Sequence, residues 1–272
     1  MKKIQALLFS LALLLIGSTP ALASIGTSTL GADIEVVPGQ SLSGSFLVYN
    51  GNEAPTNISI EVGDFTRDEE GGVQILPPNS QPHSLANFIA FSPASFTLAA
   101  GSGKSQEVRF TVSIPAGVSG PHWAALLVRE VGQSASNNQT ASNQQQVGVQ
   151  LDLQIGVQIR QVDPTLAINT ARITQVDILP PDHDKPMRVV TEFENTGTIF
   201  QKPSGEVRII DSSGKIVARI PIDSFRMLPG GKRRLEVPLT QNLAAGDYLA
   251  LVVIDFGGDF LLAGQARFTA SK

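Results

Sequence analysis

Hydrophobic residues fall at every second position along much of this chain. In the first half the alternation is clearest in residues 42–48, 58–62, 108–114 and 123–127. A period of two places successive side chains on opposite faces of an extended strand, whereas an amphipathic helix needs spacings of three and four. The pattern therefore predicts short β-strands. No stretch after residue 23 has apolar residues at helical spacing over three turns.

The second half of the chain has the same alternation. Further strands are predicted at residues 166–176, 187–194, 205–210, 216–220, 234–239, 248–256 and 264–270. Turn sequences such as Asn195-Thr-Gly197 and Pro229-Gly-Gly231 separate them. Many short strands joined by such turns are typical of β-sandwiches. We therefore predict an all-β protein with two tandem immunoglobulin-like β-sandwich domains.

The two halves also share a local order of turn, strand, corner, aromatic residue and apolar strand. The aromatic residue is Trp123 in the first half and Tyr248 in the second. At such a corner a tyrosine hydroxyl can donate a hydrogen bond back to the backbone, and we predict that bond for Tyr248. An exposed aromatic binding residue is the alternative at either position. The predicted domains are residues 24–163 and 164–272.

The first 23 residues have the organisation of a secretory signal peptide. Two lysines follow Met1, residues 4–17 are almost entirely apolar, and Ala21-Leu-Ala23 supplies small residues for cleavage. The apolar run is too short to span a membrane. Loss of Lys2 and Lys3 would change the formal net charge from -4 to -6. We therefore expect an acidic exported protein of the periplasm or cell surface, without a transmembrane anchor of its own.

The centre of the chain combines a polar segment with an unusually long alternation. Residues 132–146 are polar and of low complexity, which predicts a flexible loop. Residues 147–159 then alternate without interruption and would extend roughly 40 Å at about 3.3 Å per residue, well beyond the usual strand of about 5 to 6 residues. The apolar positions with a candidate partner-binding role are Val147, Val149, Leu151, Leu153, Ile155 and Val157.

Two interpretations of this strand are open. It can be the last strand of the first sandwich, with its apolar face in the core. Alternatively, residues 147–157 are offered to another protein, because an exposed strand edge binds an extended segment through main-chain hydrogen bonds while alternating side chains set the register. The two interpretations agree if residues 155–162 lie in the core and residues 147–153 are the part that is offered.

This organisation resembles the periplasmic pilus chaperones of the PapD type. The resemblance rests on two sandwich domains, a long loop before an alternating final strand of the first domain, and Asp163-Pro164 at the junction. Two local patterns add to it, Phe91-Ser-Pro-Ala-Ser-Phe-Thr-Leu98 and His122-Trp-Ala-Ala-Leu-Leu-Val128. The resemblance implies a non-enzymatic, chaperone-like protein that lends this strand to exported or surface proteins such as pilus subunits.

The same resemblance implies a basic pair that holds a subunit's terminal carboxylate, an Arg in the first strand and a Lys in the last. Here residues 25–37 contain no Arg or Lys, and Arg160 is the only basic residue of the final strand. The sequence therefore does not predict a carboxylate clamp of that kind.

The chain is also similar to exported envelope proteins that interact with WxL-domain surface proteins. This likeness rests on Pro38-Gly-Gln40, Val48-Tyr-Asn50 and Asp64-Phe65. Those proteins usually end in a membrane helix, which is not expected here. The likeness implies an alternative function as a structural or adhesive interaction module at the cell surface or cell wall.

The composition offers little for catalysis. The chain has no cysteine and 3 histidines, so thiol nucleophiles and thiolate metal sites are excluded. His83, His122 and His183 share no metal-ligand spacing, and no nucleophile elbow or phosphate-binding glycine motif is present. With 20 basic against 24 acidic residues, no basic field attracts nucleic acid. We therefore predict no enzyme activity, no cofactor, no metal site and no nucleic-acid partner.

Two charged clusters have ordinary structural interpretations. Residues 64–70 contain four acidic residues and Arg67 before Gly71-Gly72, which predicts a solvated hairpin tip. Calcium binding is the alternative, although EF-hand spacing is absent. Lys232-Arg233-Arg234 follows a Gly-Gly turn and predicts a charged, exposed strand start, with contact to an acidic partner or glycan as the alternative.

Overall fold

A computed structural model of the protein describes residues 25–101, 103–131 and 154–271. The predicted signal peptide (residues 1–23), the predicted loop (132–146) and the candidate residues Val147, Val149, Leu151 and Leu153 lie outside the described residues. Within the described ranges the chain forms strands and one short 3-10 turn, Pro164–Leu166. No helix in this part of the chain is long and apolar enough to cross a membrane.

The first ten strands form two sheets around one core, which we call the first sandwich. The strands are β1 (Ile25–Thr27), β2 (Gly31–Glu35), β3 (Ser41–Asn50), β4 (Thr56–Arg67), β5 (Val73–Leu76), β6 (Ile89–Ser92), β7 (Ser95–Leu98), β8 (Ser105–Ser113), β9 (His122–Glu130) and β10 (Gln154–Val162). One sheet has the order β1-β3-β8-β6. The other has the order β2-β10-β9-β4-β5, and β7 also pairs with β4.

Strands β3 and β8 show how the alternation produces this core. Phe46 of β3 lies opposite Val108 of β8, and both side chains are buried between the sheets. Ser43 and Thr111 face outward and share a hydrogen bond of 2.8 Å between their hydroxyl oxygens. One face of each strand therefore supplies the core, while the other satisfies its polar groups at the surface.

The first segment of the chain crosses from one sheet to the other. Strand β1 pairs antiparallel with β3, whereas β2 pairs parallel with β10 in the opposite sheet. Gly31 begins β2 at a point where an added Cβ would lie 2.7 Å from the carbonyl oxygen of Gln158. This close backbone approach requires glycine, and it is where β2 meets β10.

The last seven strands form two further sheets, which we call the second sandwich. The strands are β11 (Ala171–Leu179), β12 (Arg188–Asn195), β13 (Ser204–Asp211), β14 (Ile216–Ile222), β15 (Lys232–Pro238), β16 (Gly246–Asp255) and β17 (Leu262–Ala270). The sheet orders are β11-β12-β15 and β14-β13-β16-β17. Their shared core includes Phe193, Val207 and Val252, each with no exposed surface. The predicted all-β fold with two tandem sandwiches is confirmed.

The two predicted corners have different structures. The Tyr248 hydroxyl donates to the carbonyl oxygen of Ala244 at 2.9 Å, which confirms the predicted corner bond. Trp123 is instead buried, and its indole N–H donates to the carbonyl oxygen of Phe65 at 2.9 Å. Trp123 is therefore a structural residue and not an exposed aromatic group.

Strand β9 is buried on both faces, which its alternation does not indicate. Ala124, Leu126 and Val128 face the core of the first sandwich. The residues between them face outward but pack in a second apolar cluster that joins the two sandwiches; the cluster contains Phe65, Trp123, Ala125, Leu127, Leu228 and Phe200. The outer face of β9 is thus covered where it meets Leu228 and Phe200 of the second sandwich.

Candidate protein-binding site

Strand β10 has a neighbour on both sides for only part of its length. It pairs antiparallel with β9 from Gln154, opposite Arg129, to Gln161, opposite His122. On the other side β2 pairs with it only from Gln158 onward. Among the described strands, none pairs with this second side of residues 154–157. We call this stretch the open edge.

The direction of the backbone groups along β10 follows from two bonds to its neighbour. The N–H of Gln158 donates to the carbonyl of Leu30 at 3.0 Å, and the N–H of Val36 donates to the carbonyl of Val162 at 3.1 Å. Even-numbered residues of β10 therefore direct their backbone groups toward β2. Because alternate residues of a strand bond to the same side, Gln154 and Gly156 direct theirs toward the open edge.

The two described candidate residues lie on the core face of β10. Val157 has no exposed surface, and Ile155 is half-buried against the same core. Gln154, at the start of the strand, is exposed. Residues 155 and 157 thus anchor the strand in the first sandwich, and the partner-binding role of the six apolar positions stays a prediction.

A cleft rich in arginine lies between the two sandwiches beside β10. The first sandwich contributes Arg67 from the end of β4 and Arg160 from β10, and the second contributes Arg226 and Arg233. A cavity of about 170 Å³ is lined by three of these side chains, and a narrow second cavity reaches Arg160. We call these four arginines and the two cavities the basic cleft.

Polar side chains of the first sandwich hold Arg67 and Arg160 in place. Arg160 is almost fully buried and forms an ion pair with Asp33 of β2. The side-chain carbonyl of Gln158 accepts from Arg160 at 3.2 Å and from Arg67 at 3.4 Å. The pKa of Arg67 is lowered, first by burial and then by the positive charges of Arg160, Arg226 and Arg233. This arrangement concentrates like charge in a partly desolvated space.

The carboxylate clamp implied by the chaperone resemblance has no direct counterpart here. The described part of residues 25–37 has no basic side chain to offer, and the guanidinium of Arg160 is already engaged by Asp33. The basic cleft instead draws its charge from separate segments of both sandwiches. No local motif signals it, because its members meet only when the two sandwiches pack together.

The acidic cluster at residues 64–70 is not uniformly solvated. Asp64 has no exposed surface, and its carboxylate accepts hydrogen bonds from the backbone N–H groups of Ser80 at 2.8 Å and Gln81 at 2.9 Å and from the hydroxyl of Ser84 at 2.5 Å. The predicted solvated tip is therefore wrong for Asp64, which holds the following loop. Asp68 accepts from the N–H of Gly72 at 2.6 Å and closes the hairpin turn.

The histidines form no metal site in the described part of the chain. His83 stacks on Trp123 with ring centroids 4.9 Å apart, and its ring lies 6.4 Å from that of His122. Burial lowers the pKa of His122. No group of three potential ligands converges among the described residues. His122 is therefore buried within the fold, whereas His83 is exposed and stacks on Trp123, and His183 lies at the surface.

No family model and no curated protein sequence matches the chain. Several solved structures are similar to it. The YadV chaperone is 14% identical over 90% of this chain and 100% of its own, with a TM-score of 0.47. The class 5 fimbriae chaperone CfaA is 12% identical over 89% of this chain and 98% of its own, with a TM-score of 0.46.

A third similar structure comes from a complex. It is the CsuC–CsuE chaperone–tip adhesion subunit pre-assembly complex from archaic chaperone-usher Csu pili of Acinetobacter baumannii. The matching chain is 12% identical over 90% of this chain and 98% of its own, with a TM-score of 0.45. Chaperones of this kind are the proteins that the sequence resembles. At these identities and TM-scores, they assign no function to this chain.

Proposed function

We propose that this protein is an exported, non-enzymatic binding protein that acts in a chaperone-like manner on other exported or surface proteins. It captures a partner by pairing the edge of β10, continued toward residue 147, with an extended segment of that partner. The observation that carries this function is the open edge at residues 154–157.

The open edge supports this function through its backbone chemistry. Gln154 and Gly156 present N–H and C=O groups that no described strand occupies. An incoming strand gains main-chain hydrogen bonds at these two residues. Pairing would end where β2 already occupies the edge, at Gln158. The site thus has a defined end inside the first sandwich.

The side-chain pattern supports a partner with an exposed apolar groove. Val157 and Ile155 are anchored on the core face, and the sequence continues the same alternation through Leu153, Leu151, Val149 and Val147. An apolar face that extends past its own core is covered most effectively by apolar surface of another protein. Exported proteins that are unfolded or lack a strand, such as pilus-like subunits, would offer an exposed apolar surface of this kind.

Hydrogen exchange tests the proposed pairing within a single strand. The envelope protein that co-purifies with the chain is identified and the complex is reconstituted. The amides of Gln154 and Gly156 should become protected at least tenfold on binding. The amides of Ile155 and Val157 already face β9, so they serve as internal controls and should change little. A bound partner that leaves Gln154 and Gly156 unchanged contradicts the proposal.

Paired substitutions test the apolar face. Leu151→Asp with Leu153→Asp should reduce partner binding at least tenfold, because two charges replace the apolar contacts. The matched control is Gln144→Asp with Gln146→Asp, which adds the same charge in the preceding polar segment and should bind the partner as the parent does. Full binding by a folded Leu variant would exclude strand lending. It would instead favour the interaction module at the cell surface or cell wall, whose loops make the contact.

A further inference from the structure

The basic cleft holds more positive charge than its carboxylates neutralise. Lys232 lines the larger cavity together with Arg67, Arg226 and Arg233, and Arg160 lines the second cavity. Asp68 is the only carboxylate among the residues that line the two cavities. Asp33 lies outside them and is taken by Arg160. The space between Arg67 and Arg233 therefore has an excess of unneutralised cations.

The arginines approach this space from opposite walls. Arg67 belongs to the first sandwich, and its guanidinium is fixed by the carbonyl of Gly71 at 3.2 Å. Arg233 belongs to the second sandwich, and its guanidinium lies directly beside Gly71, where a Cβ would meet it at 1.1 Å. The Nε atom of Arg233 is buried and has no hydrogen-bond partner within the described residues. A buried N–H of this kind is costly unless an acceptor reaches it.

The geometry and the charge together select the chemical class of the ligand. Guanidinium groups bind oxyanions through paired N–H donors. A carboxylate has two oxygens in one plane and is satisfied by a single guanidinium. A tetrahedral oxyanion presents oxygens in several directions and can accept from both walls at once. The cavity of about 170 Å³ has room for such an ion with bridging waters.

We propose that the basic cleft is a binding site for a phosphate dianion, bridging Arg67 of the first sandwich with Arg226 and Arg233 of the second. The bound ion neutralises the facing cations and ties the two sandwiches together. This site is independent of strand pairing at β10, so either function can fail without the other.

The only tryptophan of the chain provides the signal for a binding experiment. Trp123 lines the larger cavity, stacked on His83 and in edge contact with Phe200. Titration of the purified protein with inorganic phosphate should change the Trp123 fluorescence in a saturable way. The titration is done at low ionic strength, because salt then screens the attraction between phosphate and the arginines less. Titration calorimetry should give a stoichiometry of about one phosphate per protein chain. Glycerol 3-phosphate, tested in parallel, shows whether the site takes the free ion or a phosphate monoester, and either result supports the proposal.

Two variants and one control assign the binding to the basic cleft. Arg226 is exposed, so Arg226→Gln should fold normally and bind phosphate at least tenfold more weakly. Arg233→Lys keeps the charge but removes the paired donors and should also weaken binding. Arg219→Gln removes an exposed arginine that is paired with Glu206 elsewhere on the second sandwich, and should bind as the parent does.

Three results would overturn this assignment. The first is the absence of saturable phosphate binding. The second is equal binding by the parent protein and Arg226→Gln, when thermal unfolding shows that both are folded. The third is binding of acetate, or of a peptide with a free carboxyl terminus, as tightly as phosphate, since that would make the site a monocarboxylate site.

Discussion

The backbone N–H of Arg234 donates a hydrogen bond to the carbonyl oxygen of Glu69 at 2.8 Å. This bond joins the β4–β5 hairpin of the first sandwich to the start of β15 in the second. The sequence presents these segments as two separate charged features, one acidic and one basic. In the structure they form one contact, with the guanidinium of Arg233 lying over Gly71. The contact places Arg233 at the wall of the basic cleft.

Substitution of Gly71 should weaken this contact. Gly71 has a φ of +87°, so Gly71→Ala introduces backbone strain of about 1–2 kcal/mol. The added Cβ would also collide with the Arg233 guanidinium and force that side chain to move. We expect a lower free energy of unfolding in urea, together with a changed Trp123 emission, because Trp123 lines the same cavity.

A substitution at a second glycine separates the effect of backbone strain from the effect of the collision with Arg233. Gly117 has a φ of +91°, but an added Cβ there would meet nothing within 4 Å. Gly117→Ala should therefore lower the free energy of unfolding only through backbone strain, and it should leave the Trp123 emission unchanged. If both variants leave the emission unchanged, Gly71 does not position Arg233.

The alternation in the sequence predicted most of the fold because it reports which face of a strand is buried. It located β3, β4, β8, β9 and β10 in the first sandwich and all seven strands of the second. It also began the predicted 166–176 strand too early, at the last residue of the 3-10 turn Pro164–Leu166, whereas β11 starts at Ala171. The short strands β1, β2, β5, β6 and β7 were not located individually, because five or fewer residues give too little periodicity to detect.

Contacts between the sandwiches could not be predicted in the same way. In β9, residues on both faces are apolar, and nothing local distinguishes the face that meets the core from the face that meets Phe200 and Leu228. The basic cleft has the same origin, because Arg67 and Arg226 meet only through the packing of two units. The open edge, by contrast, follows from where β2 begins, which the sequence marks only by Gly31.

Asp64 should be essential for the loop that follows β5. Asp64→Ala leaves two backbone N–H groups and the Ser84 hydroxyl without their acceptor. A donor that water cannot reach costs about 1–3 kcal/mol, and here Gln81 and Ser84 are half-buried while Ser80 is exposed, so we expect a loss of about 2 kcal/mol in denaturant unfolding and faster amide exchange at Ser80 and Gln81. Asp182→Ala, at an exposed turn, is the control and should change stability little. Unchanged exchange at Ser80 would contradict this role.

His122 should make the protein less stable in mild acid. Its pKa is lowered chiefly because burial disfavours the charged ring, although hydrogen bonds to Gly120 and Gln161 act in the opposite direction. The unfolded chain, with a histidine pKa of about 6.5, therefore binds a proton that the folded protein does not. Stability from this group is complete above about pH 6.5 and falls as the pH drops toward the lowered pKa of the folded state.

A histidine variant isolates this effect from the carboxylates. The free energy of unfolding is measured across this pH range for the parent and for His122→Asn. The variant should lose less stability on acidification than the parent does. His183→Asn changes an exposed ring and should follow the parent curve. Identical pH profiles for the parent and His122→Asn would exclude His122 as the titrating group.

Phe200 should control how firmly the two sandwiches are held together. Its ring contacts Trp123 edge to face at 5.6 Å and lies 6.0 Å from the Arg160 guanidinium. Phe200→Ala removes an aromatic ring that is half-buried, so we expect a loss of about 2 kcal/mol, roughly half the value for a fully buried Phe. The Trp123 emission should shift to longer wavelength as water reaches the indole, and solution scattering should show a larger radius of gyration. Phe260→Ala, at a site that is 58% exposed in the second sandwich, should change neither measurement. If Phe200→Ala also leaves both unchanged, Phe200 does not hold the two sandwiches together, and Leu228 is the member of the second sandwich that keeps the cluster around Trp123 in place.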